Sequence, residues 1–147
     1  MESAANVSTL PAQNGARAAS MKLLIIDDDL VHRMVLGKVG EKAGYNLTMA
    51  TSVADAASKL AAETFDCISL DLSLGGESGA QVLESIAQRN RNALLIVISG
   101  AAAAVREEAL RTADKLQLTA IEAPKPVDLL GLRTRLDELR SKQNASA

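Results

Sequence analysis

From Met21 onward, short aliphatic runs alternate with stretches in which apolar residues recur at helical spacing. The aliphatic runs cover residues 22–26, 46–50, 67–70, 93–98 and 118–121. Two of them contain LLII and LLIVI, with no polar residue between. A half-exposed strand would alternate apolar with polar. Unbroken aliphatic runs of this length are the pattern of strands covered on both faces, as in a parallel sheet. Between the runs, Val31, Val35 and Val39 fall every fourth residue, and Ala54, Ala57 and Ala61 fall three and four apart. Val82, Leu83 and Ile86 mark a third segment, Val105, Ala109 and Ala113 a fourth, and Leu129, Leu132, Leu136 and Leu139 a fifth. Residues three and four apart share one face of a helix, so five helices are expected with these residues inward. Asp29 and Ser52 stand where caps of the first and second helices belong, and Gly44 where the first should end.

Five strands alternating with five helices predict a doubly wound α/β fold, a five-stranded parallel sheet flanked by five helices. The 147 residues suit one domain. Residues 1–20 are rich in Ala, Ser, Asn and Gln without apolar periodicity and read as a disordered leader; 21–142 read as the domain and 143–147 as a disordered tail. The leader lacks the apolar core of a secretory signal, and no later run is long enough to span a bilayer, so a cytoplasmic location is expected.

In folds of this class the site lies at the carboxyl ends of the strands, near the reversal of strand order. The residues just past each run are Asp27, Asp28 and Asp29, then Thr51, Asp71, Ser99 and Lys125. Acids, a hydroxyl and a lysine are thus expected on one edge. Composition narrows the chemistry further. One Cys excludes an internal disulfide, and a single His excludes a histidine-rich zinc site. One Tyr, one Phe and no Trp leave no platform for stacking bases, and a net charge of −2 supplies no basic excess for a phosphate backbone. Carboxylates from two strand ends make a hard oxygen site suited to Mg²⁺. A carboxylate can also attack phosphorus to give an acyl phosphate, with a metal and a lysine neutralising the transferring group.

This constellation resembles the receiver domain of two-component response regulators, over roughly residues 21–139. The acidic pair Asp27–Asp28, the lone Asp71, Ser99, Lys125–Pro126 and Gly79, eight residues beyond Asp71, stand in the family's order. The resemblance implies a flavodoxin-like fold and a stand-alone, chemotaxis-regulator-like domain that catalyses only its own phosphotransfer and dephosphorylation. Asp71 would accept phosphate from a sensor histidine kinase. Asp28, Asp71 and the Ser73 carbonyl would bind Mg²⁺, with Asp27 acting mainly through water. Lys125 would contact the phosphoryl group, Ser99 would move toward it, and the Lys125–Pro126 bond would be cis. The implied recipient is a downstream protein target or a phosphotransfer protein, docked on the fourth helix, fifth strand and fifth helix. Neither nucleic acid nor membrane is expected as a partner, and the state expected is a monomer or weak dimer. A phosphorelay intermediate or an excised receiver would look the same in sequence.

The chain departs from the family at two places. Glu122 occupies the position, three before the lysine, where an aromatic switch residue is usual, and Gly75–Gly76 replaces the common proline after the acceptor. Two other readings remain at this point. One is a haloacid-dehalogenase-type phosphatase using Asp27-x-Asp29, opposed by the missing acidic strand after Lys125 and an idle Asp71. The other is a degenerate, unphosphorylated receiver acting as a binding module. His32 reads as a solvated, partner-facing side chain, and Cys67 as an inert core residue.

Overall fold

A computed structural model describes residues 20–100 and 102–146; the expected leader, apart from Ser20, lies outside the described residues. Five strands form one parallel sheet: β1 (Met21–Ile26), β2 (Tyr45–Ala50), β3 (Cys67–Asp71), β4 (Leu94–Ser99) and β5 (Thr119–Pro124), in the order β2-β1-β3-β4-β5. The helices are α1 (Leu30–Lys42), α2 (Val53–Ala62), α3 (Val82–Arg89), α4 (Ala103–Lys115) and α5 (Leu129–Ser146). A two-residue hairpin, Ser73–Leu74 with Glu77–Ser78, follows β3 and leads into a short turn of helix at Gly79–Gln81. The predicted doubly wound fold is therefore the observed one.

Alternate residues of each strand serve two cores. Leu24, Ile26, Ile68, Leu70, Leu95 and Val97 pack against residues of α2, α3 and α4, among them Leu60, Leu83, Ile86 and Ala109. Leu23, Ile25, Cys67 and Ile96 pack against Leu36 of α1 and Leu132 and Leu136 of α5. Both faces of β3 and β4 are thus covered, and every residue of β3 and all but the first of β4 are buried. Cys67 is buried, as expected, and burial pushes its thiol up to about 12.

Two of the predicted helix faces need correction. Val31 is 68% exposed and Val35 is also largely outward, while Val39 does pack against the core; α1 otherwise turns Leu36, Gly37 and Gly40 to the sheet. A side chain at Gly40 would stand 2.8 Å from Leu23 and Leu47, so α1 lies too close to β1 and β2 to admit a valine row there. In α2 the inward residues are Ala56 and Leu60 rather than the Ala54–Ala57–Ala61 row, because alanine occurs on several sides of this helix and cannot mark one. Asp29 and Ser52 do cap α1 and α2, accepting from the N–H of His32 and Asp55. Gly44 ends α1 at φ +88°, a conformation that favours glycine. The tail expected to be disordered after residue 142 is helical as far as Ser146, since Lys142, Gln143 and Ala145 extend α5 at little conformational cost.

Candidate functional site

The chain passes from β1 outward to β2 and returns on the far side of β1 to β3, so strand order reverses between β1 and β3. Asp27 follows β1 directly and Asp71 is the last residue of β3. These are the two carboxylates that the reversal brings side by side, and both are buried, 1% and 2% exposed. An isolated buried carboxylate is costly, so each must be matched by donors or cations. Asp71 receives the Ser73 N–H on Oδ1 at 2.8 Å and the Lys125 ammonium on Oδ2 at 2.8 Å. Asp27 receives the Asp29 N–H on Oδ1 at 2.9 Å, while its Oδ2 meets Nδ1 of His32. Its carbonyl is held by the Arg33 guanidinium at 2.8 Å.

Lys125 lies just past β5, where its cis bond to Pro126 turns the chain toward α5. The sequence-based expectation of that cis bond is met. Partial burial works against the charge of Lys125. The hydrogen bond and charge of Asp71, with Asp27 and Asp28 behind it, outweigh that effect and hold the ammonium above its ordinary value. The lysine therefore stays cationic at any pH near neutrality and supplies a permanent counter-charge to the acidic pocket.

The remaining expected residues take more varied places. Asp28 is exposed, at the rim beside Gly75, where a side chain on the glycine would come within 3.2 Å of its Oδ2. Gly75 and Gly76 both have positive φ, so the loop replacing the usual proline is built on conformations that glycine adopts without strain. The Ser73 carbonyl accepts from Gly75 N–H at 3.1 Å, leaving one lone pair. Ser99 is buried at the end of β4, and its carbonyl accepts from Lys125 N–H, tying the lysine to the strand that carries the hydroxyl. Gly79 is required by close approach: an added Cβ would stand 2.8 Å from the Asp71 carbonyl oxygen. Thr51 is engaged locally, its N–H donating to Asp55.

Asp29 keeps the capping role expected of it, and one neighbouring position differs from the sequence reading. Asp29 is exposed, and its carboxylate accepts from His32 N–H as a helix cap, which lowers its pKa through that hydrogen bond. Of the Asp27-x-Asp29 pair that a phosphatase would use, only Asp27 lines the buried pocket. His32, expected to be solvated and to face a partner, instead turns inward onto Asp27. As the third residue of α1, it lies in the turn that starts directly over the strand end, and its ring returns toward β1. One ligand atom each from Asp27, His32 and Asp71 lies within 4.8 Å of the others. Sequence reasoning also missed Arg33, whose neighbour relation to Asp27 is visible only once α1 is placed.

Farther from the acids, Glu122 pairs with Arg106 of α4 at 2.5 Å. The position noted in the sequence as departing from the usual aromatic thus carries a cross-element ion pair. Beside the pocket mouth, Leu30, Val31 and Met34 on α1 are exposed, and Val31, His32, Lys125, Pro126 and Leu129 line a groove of about 380 Å³. Among the described residues, no helix is long and apolar enough to cross a membrane.

The family model of the response regulator receiver domain matches residues 23–130. The sensory/regulatory protein RpfC of Xanthomonas campestris is 31% identical over 128 residues, an alignment covering 84% of this chain and 17% of that protein. The chain thus spans less than a fifth of that relative. A solved response regulator from Burkholderia pseudomallei, with a phosphorylated aspartic acid and a calcium ion, is 25% identical with a TM-score of 0.69, covering 86% of this chain and 72% of that one. The receiver domain of a sensor histidine kinase from Pseudomonas aeruginosa, with magnesium coordinated in its active-site cleft, shares the fold at a TM-score of 0.70. Its identity is 19%, and the match covers 83% of this chain and 98% of that one.

Proposed function

The chain belongs to the response regulator receiver domain family, and on that premise we propose that Asp71 accepts a phosphoryl group from the phosphohistidine of a sensor histidine kinase. The observation that carries this reading is the setting of Asp71. It is a buried carboxylate at the reversal of strand order, with one oxygen on a backbone N–H and the other on the Lys125 ammonium. In the transfer, a carboxylate oxygen of Asp71 bonds to phosphorus as the phosphorus–nitrogen bond of the donor breaks. The leaving imidazole keeps the electron pair and takes up a proton. Lys125, already charged and held at the reacting carboxylate, stabilises the negative charge on the phosphoryl oxygens. Ser99, at the end of the adjacent strand, donates its hydroxyl to the modified group.

The residues present suit a divalent cation. Two buried carboxylates, with Asp28 at the rim and the Ser73 carbonyl retaining a lone pair, provide the hard oxygen donors that Mg²⁺ prefers. Asp28, Asp71 and the Ser73 carbonyl would hold the ion, with Asp27 acting through water. When bound, it supplies neutralisation of the charge gathered on the phosphoryl oxygens. The exposed apolar residues of α1 beside the groove suit docking of the phosphodonor next to the acceptor. Output then runs through the face of α4, β5 and α5, where the Arg106–Glu122 pair joins α4 to β5, toward a downstream target or a phosphotransfer protein.

Incubation with acetyl phosphate and Mg²⁺, followed by intact-mass spectrometry, should show one added phosphoryl group, absent from Asp71→Asn. A label that persists in that variant overturns the assignment. Lys125→Ala should retain Mg²⁺ binding and lose most of the labelling rate; a collapse of Mg²⁺ affinity instead would mean that the lysine's role is misassigned.

A further inference from the structure

His32 is the only histidine in the chain, and it enters the acidic pocket rather than the solvent. Its placement is built into the fold from several directions. The Asp29 cap fixes the first turn of α1 by accepting His32 N–H, and Arg33, the next residue, clamps the carbonyl of Asp27. Its Nδ1 meets Asp27 Oδ2, and its ligand atom lies within 4.8 Å of those of both Asp27 and Asp71. A single ion can come within bonding range of all three after a small closing movement, in which Nδ1 exchanges its contact with Asp27 for the ion.

A nitrogen donor changes the preference of such a site. Mg²⁺ takes oxygen ligands and keeps its waters, and it gains little from imidazole. Cobalt, nickel and zinc bind imidazole well, at about 2.0–2.1 Å for zinc. We propose that His32 is a direct nitrogen ligand in this pocket, giving borderline 3d divalent ions a mixed Asp27–His32–Asp71 centre, in which Asp27 binds directly rather than through water, and so favouring them over Mg²⁺ held by the oxygen set. This deepens the reading of the pocket as a divalent-cation site and rests on it. His32 is itself one of the residues lining the groove, with Val31, Val35 and Pro126. The metal-filled site is thereby coupled to the surface on which a partner docks.

The test uses the full chain with Mg²⁺ and Co²⁺ as separate probes, titrated calorimetrically. The Co²⁺ complex is also followed by proton NMR. The wild-type Co²⁺ complex should show a strongly shifted, solvent-exchangeable imidazole N–H resonance, assigned without ambiguity because there is one histidine. His32→Ala should abolish that signal and weaken Co²⁺ at least about tenfold, the scale on which even the partners of metal ligands act, while Mg²⁺ affinity stays within about twofold. His32→Asn keeps a side chain that can donate to Asp27 but has no imidazole. It should resemble His32→Ala, and recovery of Co²⁺ affinity in it would show that His32 only positions Asp27, overturning the proposal. Absence of the shifted resonance in the wild type, or an equal loss of both ions in His32→Ala, overturns it as well. Failure of Mg²⁺ to bind the wild type would remove the cation-site reading itself. Mg²⁺ binding together with Co²⁺ binding that is indifferent to His32 would remove only this inference.

Discussion

Asn90 ties the strand that carries Asp71 to the helices on one face of the sheet, and its replacement should destabilise the domain severely. The residue is 3% exposed and ends α3. Its Oδ1 accepts the Phe65 N–H at 2.6 Å, and its Nδ2 donates to the carbonyls of Leu60 at 3.3 Å and Glu63 at 3.2 Å. The side chain thereby satisfies the end of α2 and the entry to β3 together. Asn90→Ala strands a buried donor, at about 1–3 kcal/mol, and removes the donor from two carbonyls, at about 0.5–1.5 kcal/mol each. A total of about 2–6 kcal/mol, centred near 4, follows from these contributions, a large share of the ~5–15 kcal/mol typical of a domain. The melting temperature should fall by roughly 10–15 °C, measured by far-UV circular dichroism, with urea titration giving the free energy at an unchanged slope. Asn90→Asp separates the two halves of the contribution. It keeps an acceptor for Phe65 but turns a carboxylate toward two carbonyl oxygens. Burial and those oxygens raise its folded pKa above an unfolded value of about 3.9. The folded state then binds more protons than the unfolded one between the two values, so the variant loses stability as pH rises through that window. Its deficit against wild type should be largest at neutral pH and shrink toward pH ~4. A cost below about 1 kcal/mol for Asn90→Ala, or a pH-independent deficit for Asn90→Asp, would refute the reasoning.

Two further substitutions test the packing around the site. Gly79→Ala would place Cβ 2.8 Å from the Asp71 carbonyl oxygen and 2.9 Å from Leu72 Cα, backbone atoms that cannot swing aside. It should cost about 1–3 kcal/mol in chemical denaturation and slow labelling of Asp71; stability within 0.5 kcal/mol of wild type would contradict this. Ser69, on β3 two residues before Asp71, has a buried hydroxyl without a hydrogen-bond partner among the described residues. Ser69→Ala should therefore raise stability by about 1 kcal/mol, and a clear loss instead would reveal a role for the hydroxyl in the folded state.

The unbroken aliphatic runs at 23–26 and 94–98 determined that β1 and β4 are interior strands, because only a strand covered on both faces can carry such a run. Chain order then placed Asp27, Asp71, Ser99 and Lys125 at one edge, since in a parallel sheet every strand ends on the same side. The caps at Asp29 and Ser52 and the end at Gly44 were equally legible, being interactions among near neighbours in sequence. The inward face of α1 was not. Its closest contacts with the sheet use Gly37 and Gly40, and a glycine chosen for close approach leaves no mark in an apolar pattern. The fate of His32 was hidden for a related reason. Its place in the chain is known from the sequence, but its direction follows from how tightly α1 seats on β1 and β2, which depends on residues far away. The Arg106–Glu122 pair likewise joins α4 to a strand it meets only in space. The sequence by itself thus determined the elements, their order and the edge that bears the acids, because these follow from local periodicity and chain direction. Which side chains fill the acidic pocket was decided by the tertiary structure, because that depends on the distance of closest approach between elements remote in sequence.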